Sequence, residues 1–155
     1  MSKILAVSNL KKNYTKGKTT ICAVDEISFH IEKGECLALV GESGSGKSTV
    51  AKLITGLEPM DGGKIVLDGK VIKNPGRKEL KRVYQLVQMV FQMPVDSFNP
   101  RMRLGESVME GLINQGMGRQ EAKNKAIEYL EICGLSPGFA GRYPSEVSGG
   151  ECQRA

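Results

Sequence analysis

The chain has 155 residues, 40% of them hydrophobic and 25% charged, with a formal net charge of +5. That balance excludes a disordered chain and suffices for one domain with a core of its own. The longest apolar run, Cys36-Leu37-Ala38-Leu39-Val40, is too short to span a bilayer, and Met1 to Val7 lacks the long apolar region of a signal peptide. A cytosolic protein is therefore expected, with any membrane role exercised through partners.

In chain order, Ile4 to Val7 reads as a short strand and Val24 to Ile31 as a longer one with period-two alternation. Phe29 and Ile31 share one face of it, so the single histidine, His30, points the other way, to solvent. Lys33-Gly34 is a turn. Cys36 to Val40 is continuously apolar, as expected of a strand buried on both faces, which makes Cys36 a buried free thiol. The other cysteines, at 22, 133 and 152, form no C-x-x-C pair, so no zinc or redox site is expected. A glycine-rich loop leads into a helix from Lys47 to Ile54. Gly62-Gly63 marks a turn, and Asp68-Gly69 between Ile65-Val66-Leu67 and Val71-Ile72 signals a hairpin. Arg77, Lys78, Lys81 and Arg82 read as one solvated helix face. No basic patch with interleaved aromatics accompanies them, so no nucleic-acid partner is expected. Leu86 to Phe91 reads as another buried strand. Beyond Pro100 the spacing turns helical, over Leu104–Ile113 and Gln120–Ile132, with Ala122, Ala126, Tyr129 and Leu130 along one side.

Gly41-Glu42-Ser43-Gly44-Ser45-Gly46-Lys47-Ser48-Thr49 fits G-x-x-x-x-G-K-[ST], the phosphate-binding P-loop. Glycines let the backbone turn tightly and aim its N–H groups at phosphate oxygens, and the helix after the loop adds the positive end of its dipole. Lys47 is a mobile cation able to reach the β- and γ-phosphates, and the Ser48 hydroxyl can coordinate Mg²⁺. Kinases, GTPases and transport ATPases all use this loop, so further residues must choose among them.

Val147-Ser148-Gly149-Gly150-Glu151, with Gln153-Arg154 after it, resembles the signature of ABC ATPases, LSGGQ with a Gln-Arg pair. Ser148 can cap the helix it opens and donate to a phosphate. The resemblance implies that Ser148, Gly149, Gly150 and Glu151 close on ATP held by a partner subunit. Val147 and Glu151 depart from the commonest form. Gln92 is similar to the family's Q-loop glutamine, which touches Mg²⁺ or the attacking water and senses the membrane subunit. Tyr14, the only aromatic before Phe29, corresponds to the residue that stacks on adenine. The stretch from Phe91-Gln92-Met93-Pro94 to Asn99-Pro100-Arg101-Met102 looks like that of dipeptide, oligopeptide and nickel importer ATPases, although Met93 stands where relatives are often acidic or amidic.

The resemblance implies an α/β fold: a P-loop NTPase core with an N-terminal antiparallel β part and an α-helical subdomain, incomplete at the C-terminus. Residues 1–94 would form the β part and core, 95–147 the helical subdomain, and 148–155 the signature with the start of its helix. The function implied is the ATP-binding subunit of an importer for peptides or nickel, at the cytoplasmic face of the membrane. Its cofactors would be ATP and Mg²⁺. Its partners would be a second ATPase subunit, membrane permease subunits and, indirectly, an extracytoplasmic substrate-binding protein. The family's Asp-ended strand, catalytic Glu and switch histidine lie beyond the signature, and none occurs by residue 155. A chain cut from a longer reading frame, inactive in hydrolysis by itself, is expected. A non-catalytic nucleotide-binding fragment and a P-loop small-molecule kinase are the competing readings.

Overall fold

The computed structural model describes residues 3–93 and 97–155. The chain forms two compact units, residues 1–89 and 90–155, each considered by itself.

The first unit is built on a four-stranded antiparallel sheet of order β2-β1-β3-β4. β1 (Lys3–Lys16) and β2 (Thr19–Glu32) make a long hairpin, so both predicted strands extend well beyond their apolar cores. β3 (Gly62–Leu67) pairs with β1, and β4 (Lys70–Ile72) with β3. The Asp68-Gly69 turn has φ of 47° and 72°, the left-handed pair that a two-residue hairpin requires. Gly62-Gly63 is not a turn but the start of β3, opposite a bulge in β1: Gly63 has φ 89°, and a Cβ there would strike the Asn9 carbonyl. Two helices complete the unit, α1 (Lys47–Ile54) and α2 (Arg77–Leu86). Val50 and Leu53 of α1, with Val83 of α2, join Leu5, Val7, Leu10, Val24, Ile65 and Leu67 in one buried core. Arg77, Lys78 and Lys81 lie on the exposed side of α2, whereas Arg82, expected with them, is half-buried and 3.9 Å from the Asp68 carboxylate; His30 is exposed while Phe29 and Ile31 pack against the core.

Two predicted strands are absent. Residues 36–40 form no strand, and their side chains are open to solvent: Leu37 is 41% exposed, Leu39 45% and Val40 90%, and Cys36 is exposed rather than buried. Leu86 ends α2, and the chain to Phe91 is irregular, with Val90 85% exposed. An apolar run becomes a strand only when a neighbour supplies ladder hydrogen bonds, and neither segment has such a neighbour among the described residues.

In the second unit, α3 (Leu104–Asn114) and α4 (Arg119–Ile132) pack against each other and against a 3₁₀ turn at Pro137–Gly141. Leu104, Ala122, Ala126, Leu130 and Leu135 are buried. Gly105 is needed where α3 meets Ala140, whose carbonyl oxygen would be 2.8 Å from an added Cβ. Tyr129 does not share the buried face: it is 42% exposed, with the Lys125 ammonium 5.2 Å from its ring centre. A short 3₁₀ turn at Pro144–Glu146 leads to α5 (Gly149–Arg154). No helix among the described residues is long and apolar enough to cross a membrane.

Candidate functional site

Residues 41–46 form the loop before α1, and in it Gly44, at φ 81°, and Gly46, at φ 90°, take left-handed backbone. Gly44 faces open space, but a Cβ on Gly46 would run into the Ala23 carbonyl oxygen. Ala23 is the extra residue of a bulge in β2: Lys12 pairs with Val24 and Asn13 with Cys22, so nothing on β1 opposes it. The end of the loop is thus nested against a kinked point of the hairpin, where only glycine fits.

Lys47 curls back over the loop that precedes it. Its ammonium donates to the carbonyls of Gly41 at 2.8 Å and Glu42 at 2.5 Å, and reaches the Ser45 hydroxyl at 3.2 Å. The Ser45 N–H donates to the Glu42 carbonyl at 3.2 Å, which tightens the turn. α1 then starts without a side-chain cap and without an acidic residue in its first turn. The N–H groups of Lys47, Ser48 and Thr49 have no intrahelical acceptor by construction, and here no side chain of the helix start replaces one. A fixed ammonium, uncapped N–H groups and a helix dipole on one small loop form an anion receptor. The Ser48 hydroxyl is exposed beside it. No carboxylate cluster able to hold a metal occurs among the described residues.

Tyr14 lies near the turn end of the β1–β2 hairpin, 37% exposed, and pairs with Ile21, which is 60% exposed. Leu10, Lys12 and Tyr14 fall on one face of β1, and the first two are buried. Tyr14 and Ile21 therefore prolong the core-facing side of the hairpin into an exposed apolar shelf, two residues beyond the bulge that receives the P-loop. Ile21 was not anticipated, although its alternation with Ala23 and its place opposite Tyr14 would have flagged it. Lys12 was not anticipated either. It is 6% exposed, donates to the Pro59 carbonyl at 2.7 Å, lies 3.9 Å from the carboxylates of both Glu58 and Asp61, and is 5.2 Å from the Tyr14 ring centre.

In the second unit, Gln92 is exposed on irregular chain rather than at a strand end. Residues 94–96 of the Phe91–Met102 stretch lie outside the described residues. Asn99 organises the approach to α3: its side-chain oxygen accepts the Arg101 N–H at 3.0 Å, turning the chain toward that helix. Ser148 caps α5, its hydroxyl accepting the Glu151 N–H at 3.3 Å. The Glu151 carboxylate reaches back to the Ser148 N–H and hydroxyl, each at 2.8 Å. Together they make a capping box. The Ser148 N–H, then its hydroxyl, with the positive fields of Arg142 and Arg154, hold the Glu151 carboxyl below its ordinary pKa. The acid at position 151 thus engages both donors of Ser148 and neutralises the positive end of α5.

The sequence profile of the family described as ABC transporter matches residues 24–155. The chain belongs to the ABC transporter family. It is 40% identical over 157 residues to the oligopeptide transport ATP-binding protein OppF of Bacillus subtilis, covering 98% of this chain and 51% of OppF. It is 36% identical over 161 residues to the di/tripeptide transport ATP-binding protein DppF of Pseudomonas aeruginosa, covering 99% of this chain and 50% of DppF. The chain spans about half the length of the curated relatives it matches. Among solved structures, the ATP-binding cassette MJ0796, a dimer in a post-hydrolysis state bound to ADP and Pi, superposes with a TM-score of 0.85 at 30% identity, over 97% of this chain and 66% of that one. The α/β fold expected from the P-loop and signature is that of these cassettes.

Proposed function

We propose that this ABC-family chain is the nucleotide-binding part of an ATPase subunit that powers a membrane importer of peptides. The observation that carries the reading is the segment 41–49, which brings the Lys47 ammonium, folded over the loop, together with the uncapped start of α1. In this reading the N–H groups of residues 44–49 cradle the phosphates of ATP, and Lys47 exchanges its carbonyl partners for the β- and γ-phosphates. Ser48 holds Mg²⁺, and the metal neutralises charge on the phosphates. Tyr14 stacks on the base. Ser148, Gly149, Gly150 and Glu151 address ATP bound by a second copy or a related subunit, as the dimeric state of MJ0796 suggests. The names of OppF and DppF support peptides as cargo. Permease subunits, and through them a substrate-binding protein, complete the transporter and hold this subunit at the cytoplasmic face of the membrane. The residues within 1–155 bind nucleotide in this reading, and none of them is assigned the carboxylate that orients the attacking water.

The test is ATP affinity in Lys47→Ala. Loss of one charge-assisted contact to phosphate, about 1.5–3 kcal/mol, corresponds to a fall of roughly tenfold to a hundredfold. Equal affinity in the variant and the parent would remove the phosphate site from this loop.

A further inference from the structure

Lys12 is the one buried charged residue among those described, and nothing in the phosphate site uses it. A buried ammonium persists only where partners replace its water. Here the partners all come from residues 58–61, the segment joining α1 to β3: the Pro59 carbonyl at 2.7 Å and the carboxylates of Glu58 and Asp61, each at 3.9 Å. The same segment is fastened to the neighbouring residues of β1. The Asp61 carboxylate accepts the Asn13 N–H at 2.6 Å, and the Asp61 N–H donates to the Lys11 carbonyl at 3.0 Å. α1 is therefore tied to the hairpin at both ends, at its start by Gly46 against Ala23 and beyond its end by this clamp on Lys11, Lys12 and Asn13. Tyr14 is the next residue of β1, and the Lys12 ammonium stands over its ring, 5.2 Å from the centre.

We propose that Lys12 is a positioning residue for the nucleotide base, holding the Tyr14 ring at a fixed place relative to the P-loop through its cation over the ring and its clamp on residues 58–61. The inference rests on the nucleotide-binding reading above. It adds that the base half and the phosphate half of the site are joined through one buried cation.

The consequence is selective. Lys12 touches the groups that hold the base and not those that hold the phosphates, so its loss should weaken ATP and spare inorganic triphosphate, a probe with no base. Lys12→Met keeps the apolar stem and removes the ammonium. It should bind ATP roughly three- to tenfold more weakly, the scale of a partly desolvated cation–π contact, with triphosphate affinity unchanged. Lys12→Arg should restore most of the ATP affinity. Lys12→Gln, which retains a donor for the Pro59 carbonyl but no charge, should behave like Lys12→Met and serves in its place if that variant does not melt cooperatively. Tyr14→Ala should show the same selective loss, and combining it with Lys12→Met should cost no more than Tyr14→Ala alone. Equal weakening of ATP and triphosphate in Lys12→Met would make the residue merely structural and overturn the inference. So would full ATP affinity in Lys12→Gln, or additive losses in the double variant. These outcomes are separable from failure of the phosphate site, which shows as a Lys47→Ala variant that binds both probes like the parent.

Discussion

Gly44 and Gly46 have the same left-handed backbone but different surroundings, and the pair allows conformational strain to be separated from close approach. At φ 81° and 90° an alanine at either position incurs the left-handed penalty, about 1–2 kcal/mol. For Gly44→Ala that is the whole cost, because nothing lies within 4 Å of the new methyl group. For Gly46→Ala the methyl group meets the Ala23 carbonyl, a backbone atom that cannot rotate away, with Val24 Cγ2 at 3.7 Å behind it. The loop must then lift off β2, which moves the start of α1 and the Lys47 ammonium with it. Forced displacement of packed backbone costs typically about a further 1–3 kcal/mol. Urea denaturation should therefore place Gly44→Ala about 1–2 kcal/mol below the parent and Gly46→Ala about 2–5 kcal/mol below it. ATP titrations should show Gly46→Ala the weaker binder of the two. Equal stability and equal affinity for the two variants would refute the claim that the bulge at Ala23 is a seat for the P-loop.

Glu151 should make the start of α5 sensitive to acid. Its carboxyl lies below its ordinary pKa in the folded chain, so the stabilisation is complete above the usual carboxylate range and is lost as pH falls through the lowered value. A carboxyl titration of Glu151 followed by NMR should show the lowered midpoint, and Ser148→Ala should move it upward; an unmoved midpoint would separate the carboxylate from the cap. In the second unit, Leu130 is 1% exposed, so Leu130→Ala should destabilise by about 2–5 kcal/mol in denaturant unfolding, whereas Tyr129→Ala one residue earlier should stay within about 1 kcal/mol.

The parts of this structure that could be read from sequence are those whose causes are local. The start of the helix at Lys47 was legible because the P-loop motif places it directly after Gly46, and its buried positions, Val50 and Leu53, are three apart. Asp68-Gly69 announced its hairpin because both residues accept positive φ. The role of Ser148 as a cap came from a serine ahead of two glycines; the reach of Glu151 back to it was not anticipated, although the Ser-x-x-Glu spacing carries it. Residues 36–40 and 86–91 failed for the opposite reason. Their apolar composition sets what they avoid, water, while strand formation depends on a partner that no window of ten residues contains.

Lys12 shows the same limit from the other side. In an alternating strand a lysine is assigned to the wet face by default, and the parity of Leu10, Lys12 and Tyr14 is the sole local sign that it is not there. The groups that permit its burial, a carbonyl at 59 and carboxylates at 58 and 61, lie across the sheet in a segment whose position is set by α1. The phosphate loop could therefore be read as a motif, whereas the coupling of that loop to Tyr14 is a property of the packed hairpin. If Tyr14 holds the base as proposed, a substitution at residue 61, far from either motif in sequence, would reach it through Lys12 and Asn13, and no motif comparison would anticipate it.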